Sequence, residues 1–218
     1  MTTGASDELP GLGRVVQLVL RGDGLTTTSL EVLTGDRITV SVRSHWVLAG
    51  DQDLAVIEAG DEYTGTSGEP IGRQVSRAVA GLRPDGDDSL LIREVLLTGR
   101  EVWGASTVVA VLERVPESVR HTLATTDDPL GRTLHEAGVV TTRQVAKWGR
   151  VPAGRWGTVL AGSPGPDALV PAREYLMLPS SGDDPIAHLV EWFSPDVFEE
   201  SEMARGRSRR GGRRRSPR

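Results

Sequence analysis

The sequence predicts an α+β fold: one domain built on a mostly antiparallel β-sheet. Strand-like runs follow one another through short turns, short helical stretches are grouped between them, and no regular strand–helix–strand alternation appears. At 218 residues the chain is one large domain, or a domain with tails. A chain of this length buries roughly 70% of its unfolded surface, so it needs no disulfide or metal to fold. It has no cysteine, which excludes a disulfide scaffold, a zinc ribbon, a thiol nucleophile and an iron–sulfur cluster.

Residues 1–8 read as a loose N-terminal arm, residues 9–199 as the folded domain and residues 200–218 as a disordered Arg-rich tail. Residues 9–20, LPGLGRVVQLVL, space their apolar side chains loosely as a helix does, and GDG stops them. Residues 26–35, TTTSLEVLTG, read as a short helix with Thr caps at its start and Gly35 as its stop. Residues 36–48 alternate: Ile38, Val40, Val42 and Trp46 on one face, Thr39, Ser41, Arg43 and His45 on the other. Residues 55–60, AVIEAG, and 69–79, EPIGRQVSRAV, are weaker strand candidates around a Gly-rich turn. RPDGDD at 83–88 is a turn.

SLLIREVLLTG at 89–99 and VWGASTVVAVL at 102–112 form a hairpin through a tight connection. PESVRHTLATT at 116–126 reads as a short helix. In DDPLGRTLHEAG at 127–138, Asp128 can cap, Pro129 suits the first helical position and Gly138 suits the stop. Strands follow at 139–149, 171–178 and 186–193, with a loop at 161–169. The tryptophans at 46, 103, 148, 156 and 192 are expected in the core or at its rim rather than as a stacking row for nucleic acid.

The charges within strands carry the functional question. Side chains in a strand alternate between faces. Arg93 therefore shares a face with Leu91, Val95 and Leu97, and Glu94 shares the other with Leu90, Ile92 and Leu96. Both faces are apolar, so this strand is expected inside the sheet and covered on both sides. An unpaired buried charge costs several kcal/mol, so Arg93 needs an anion, either a carboxylate of the protein or one from outside. Glu191 lies with Ala187, Leu189 and Phe193. Burial raises the pKa of such a carboxylate and a neighbouring cation lowers it. The group is a candidate acid or base, an acceptor for a ligand hydroxyl, or a structural partner of Arg93. Glu94 has no evident role beyond structural hydrogen bonding.

Other motifs are absent. The four histidines are scattered without metal-ligand spacing, and there is no Walker loop, dinucleotide-binding glycine pattern or Gly-x-Ser-x-Gly elbow. The start MTTGASDELP shows no leader pattern, and no stretch approaches 18 apolar residues, so a cytoplasmic protein without a membrane span is expected. The net charge of −5 hides an asymmetry. The last fourteen residues hold eight arginines and no acid, leaving 17 basic against 30 acidic side chains in the rest. Such a tail can touch nucleic-acid phosphates without sequence preference. A solubilising tail is the plainer expectation.

Three stretches in order, LLIREVLLTGREVWGASTVVAV, PLGRTLHEAGVVTTRQVAKWG and REYLM…DDPIAHLVEWFSP, resemble the chorismate pyruvate-lyase (4-hydroxybenzoate synthase) family. The likeness runs, with gaps, from about residue 14 to 198. It implies an antiparallel sheet with helical flaps over a buried site, and conversion of chorismate to 4-hydroxybenzoate and pyruvate without metal or cofactor. It implies that Arg93 binds a substrate carboxylate, that the backbone N–H of Leu130 contacts the ligand, and that Glu191 faces the ring hydroxyl. Leu25 and Thr26 match the start of a flap, with Leu25 in place of the family's Met. Arg143 and Arg173 fall on family arginines and are secondary substrate-binding candidates. The related fold also serves as the effector domain of some bacterial transcription regulators, so a non-catalytic module for a small anionic molecule is the alternative to the lyase.

Overall fold

The computed structural model describes residues 14–22, 25–49, 71–126, 128–163, 165–182 and 184–198. The expected N-terminal arm, the strand candidate at 55–60 and the Arg-rich tail lie outside them. Helices α1 (Arg14–Arg21) and α2 (Thr26–Thr34) precede β1 (Thr39–Ala49) and α3 (Ile71–Leu82). The β2 (Ser89–Thr98) and β3 (Val102–Val111) hairpin leads into α4 (Glu117–Thr125) and α5 (Leu130–Glu136). Strands β4 (Thr141–Pro152), β5 (Leu169–Pro179) and β6 (Ala187–Phe193) complete the fold.

The six strands form one sheet in the order β1-β2-β3-β6-β5-β4, and every neighbouring pair is antiparallel. This is the predicted α+β architecture. The chain leaves β3 in the middle, crosses one face through α4 and α5, and reaches the far edge at β4. It then returns through β5 to set β6 beside β3. No helix among the described residues is long and apolar enough to cross a membrane.

Both faces of the sheet are covered, as the two apolar faces of β2 require. On one face Leu91, Val108 and Leu189 pack with Val119, Leu123 and Leu134 of α4 and α5. Beside them, Leu97 and Phe193 pack with Val16 and Leu20 of α1 and Leu30 of α2. On the other face Leu90, Ile92 and Val109 meet Val75, Ala78 and Leu82 of α3, and Leu96, Ala105 and Trp192 meet Trp156 and Leu160.

Four local expectations are corrected. Residues 71–82 are helix, not strand. Val75, Ala78, Val79 and Leu82 recur at helical spacing and turn one stripe to the sheet, while their β-branched content imitates a strand. In β1 the pairing shifts between Val42 and Ser44. This bulge at Arg43 inverts the alternation: Val40 and Val42 stay opposite Leu97 and Val95, but His45 then faces Arg93 and Trp46 faces Ile92. Trp46 therefore packs against the α3 side. The N-cap of α2 is Leu25, with no side-chain cap, because the Thr26 hydroxyl is engaged elsewhere. The N-cap of α5 is Pro129, one residue before the helix; Asp128 accepts a hydrogen bond from the Thr126 hydroxyl over 2.9 Å instead. The two glycine stops hold, with φ of 71° at Gly35 and 76° at Gly138.

Candidate functional site

A cavity lies between the sheet and the helices α2, α4 and α5. Its floor is strand alternation made visible: Leu91, Arg93, Val95 and Leu97 of β2, Ser106 and Val108 of β3, and Leu189 and Glu191 of β6. Cross-strand register brings these together, with Arg93 opposite Val108, Val95 opposite Ser106, and Ser106 opposite Glu191. Leu25, Thr26 and Thr27 close one side at the start of α2; Asp128, Pro129 and Leu130 close another at the entry to α5. The volume is about 80 Å³. One water needs roughly 10–15 Å³, so there is room for a small organic molecule.

Glu191 is the best-connected side chain of the floor. It is 4% exposed. Its Oε2 accepts from Arg173 Nε over 2.6 Å, and its Oε1 accepts from the Thr26 hydroxyl over 2.8 Å and from the Tyr175 hydroxyl over 3.2 Å. Burial, the largest single influence, pushes the carboxyl up. The Arg173 and Arg143 guanidiniums, with the hydrogen bonds from Arg173 and Thr26, outweigh it and hold the carboxyl below the ordinary glutamate range. Glu191 is thus a carboxylate at neutral pH. Burial and the adjacent Glu191 charge push the Tyr175 phenol well above its usual range.

Arg173 pairs with Glu191 in the β5–β6 register. It is 3% exposed and stands behind the wall rather than in it. Its guanidinium also donates to the carbonyls of Val19 and Gly22 over 2.7 and 3.0 Å and to the Thr26 hydroxyl over 2.8 Å. It ties the end of α1 and the start of α2 to the sheet. Arg173 is therefore a positioning group here, while Arg143 of β4 lines the cavity with its guanidinium 5.3 Å from the Tyr175 ring centroid.

Arg93 is 3% exposed. The sequence asks for an anion, and the groups it meets include backbone: its guanidinium donates to the carbonyls of Thr126 over 2.9 Å and Asp128 over 3.3 Å. It thereby clamps the loop that delivers Leu130 to the cavity. Glu94, on the opposite face, lies 2.6 Å from Arg155 and accepts from the Ser44 hydroxyl over 2.7 Å. Arg155 also donates to Thr107 and Gln74. The adjacent charges thus belong to two separate networks, one per face.

Of the candidates read from the sequence, Arg93, Glu191, Leu25, Thr26, Leu130 and Arg143 share this cavity, and Arg173 does not line it. Ser106 and Tyr175 also line it and carry no strand-charge signal in the sequence. The alternation that exposed Arg93 would have found Ser106, a hydroxyl among Val108 and Ala110 on one face of β3; Tyr175 needs the β5–β6 register. Among the described residues the wall carries three arginines, Arg93, Arg132 and Arg143, against two carboxylates, Asp128 and Glu191. Arg173 already compensates Glu191, so these described side chains leave a positive balance at the wall.

No family model matches the chain, and no curated protein matches it. Among solved structures it is similar to the effector domain of PhnF from Mycobacterium smegmatis, with 15% identity, a TM-score of 0.49, and 80% of this chain and 91% of that chain covered. It is also similar to PhnF from the same organism, with 18% identity, a TM-score of 0.49, and 81% of this chain and 66% of that chain covered. A third similar structure is a transcriptional regulator of the GntR family from Bacillus cereus, with 9% identity, a TM-score of 0.45, and 73% of this chain and 92% of that chain covered.

Proposed function

We propose that the protein is a binding module for a small organic anion with an apolar body. The observation that carries this reading is the charge balance of the cavity. Among the described residues, three arginines stand in a wall otherwise built largely from Leu, Val and Met side chains, and the inner carboxylate already accepts hydrogen bonds from Arg173, Thr26 and Tyr175. An apolar pocket with a few convergent polar groups is the general form of a small-molecule site. Among the described residues no histidine or lysine lines the cavity, and neither Glu191 nor Tyr175 is poised to exchange a proton near neutral pH. Titration calorimetry with benzoate and with uncharged benzyl alcohol tests the reading. Benzoate is expected to bind and benzyl alcohol is not; equal binding of both, or of neither, overturns it.

A chorismate pyruvate-lyase is the second reading. It is favoured by one observation: Arg93, Glu191, Leu25, Thr26 and Leu130, far apart in sequence, line one cavity. In this reading Arg93 holds a carboxylate of chorismate, and the ionised Glu191 orients the ring hydroxyl without supplying a proton. Elimination of pyruvate would then rest on positioning and electrostatics. Incubation with chorismate separates the two: formation of 4-hydroxybenzoate and pyruvate supports the lyase, and binding without turnover supports the module.

A further inference from the structure

Ser106 is an exception among the buried hydroxyls. The others have evident partners: Thr26 donates to Glu191, Thr107 accepts from Arg155, and Ser194 donates to the carbonyl of Ala161. Ser106 is 3% exposed, and its hydroxyl has no hydrogen-bond partner among the described residues. It lines the cavity, between Val95 on β2 and Glu191 on β6. A buried hydroxyl left without a partner destabilises the protein that holds it, and such groups in folded proteins call for an explanation. An apolar residue of similar size would fill this position without that cost.

We infer that the Ser106 hydroxyl is the group with which the cavity recognises an oxygen of its ligand, so that the ligand is a hydroxylated organic acid rather than a bare carboxylate. This rests on the anion-binding reading. The register supports the spacing. Arg93 faces Val108, two positions along β3 from Ser106, so Arg93 and Ser106 are diagonal neighbours, with positions about 7–8 Å apart. A six-membered ring or a short chain between an acid group and a hydroxyl spans such a gap. A hydroxyl both donates and accepts; placed here it can accept from Ser106 and donate toward the adjacent Glu191 carboxylate.

The test compares benzoate with its 2-, 3- and 4-hydroxy derivatives on wild-type protein and on Ser106→Ala, by calorimetry, together with the melting temperature of each ligand-free protein. At least one hydroxybenzoate is expected to bind wild type about ten-fold more tightly than benzoate. Ser106→Ala is expected to erase that preference, keep its benzoate affinity, and melt at the same or a higher temperature than wild type. A preference that survives Ser106→Ala, or no preference in wild type, overturns the inference alone. So does a ligand-free Ser106→Ala that melts clearly lower, because the hydroxyl is then structural. Failure of every benzoate to bind removes the anion-binding reading and the inference with it.

Discussion

Arg173 Nε donates to Glu191 Oε2 over 2.6 Å, across directly opposed positions of β5 and β6. The two side chains are 2% and 5% exposed. Their pairing fixes the carboxylate and, through Thr26, Val19 and Gly22, the end of α1 and the start of α2. Removing one partner of a buried pair leaves an uncompensated charge. Glu191→Gln and Arg173→Met are each expected to cost about 3–5 kcal/mol. The double substitution is expected to cost less than the sum of the two. Urea unfolding of the four proteins measures this coupling.

The same pair makes stability fall in acid. Glu191 is ionised in both states above the ordinary glutamate value of 4.5, and its native pKa lies lower. Its contribution is complete above that value. As pH falls below it, the unfolded chain takes up the proton first, and stability drops until the native carboxyl is protonated too. Unfolding free energy measured from pH 6 to pH 3 is expected to fall less steeply in Glu191→Gln than in wild type.

Arg93 serves the loop before α5 as well as the cavity. A lysine keeps the charge but lacks the fork that reaches two carbonyls. Arg93→Lys is therefore expected to speed amide exchange at Thr126 and over residues 128–132 and to weaken benzoate binding, with a stability loss of roughly 1–3 kcal/mol. Unchanged exchange in that segment would contradict the clamp.

Glu94 is on the other face and pairs with Arg155. Glu94→Gln is expected to lower the unfolding free energy by roughly 1–3 kcal/mol and leave benzoate affinity unchanged. Calorimetry beside urea unfolding makes the distinction between the two faces a measurement.

Gly99 closes the β2–β3 hairpin where no side chain fits. A Cβ there would lie 2.5 Å from Asp36 Oδ2 and 2.8 Å from Trp103 Nε1, and those two atoms form a 2.6 Å hydrogen bond. Gly99→Ala is expected to cost about 1–3 kcal/mol and to change tryptophan fluorescence before unfolding begins.

What could be read from the sequence was what strict periodicity encodes. The faces of Arg93 and Glu191 follow from alternation within an uninterrupted strand, and both residues line one cavity. The helices at 26–34 and 130–136 are marked by Gly35 and Gly138. Alternation fails in β1, because one extra residue at Arg43 reverses the faces beyond it and no residue type announces a bulge. Residues 71–82 mislead because Val75 and Val79 fit either period. The cap expected of α2 was absent because Thr26 answers to Glu191, 165 residues away in sequence, a competition that local patterns do not contain.

The bulge in β1 also bears on self-association. Among the described residues β1 is an edge of the sheet, and an edge strand of eleven residues is a template on which a second chain can add. The shift at Arg43 breaks the regular spacing of its outward N–H and C=O groups and sets a charged side chain at the break. The irregularity that lets this strand face two cores therefore also interrupts that template.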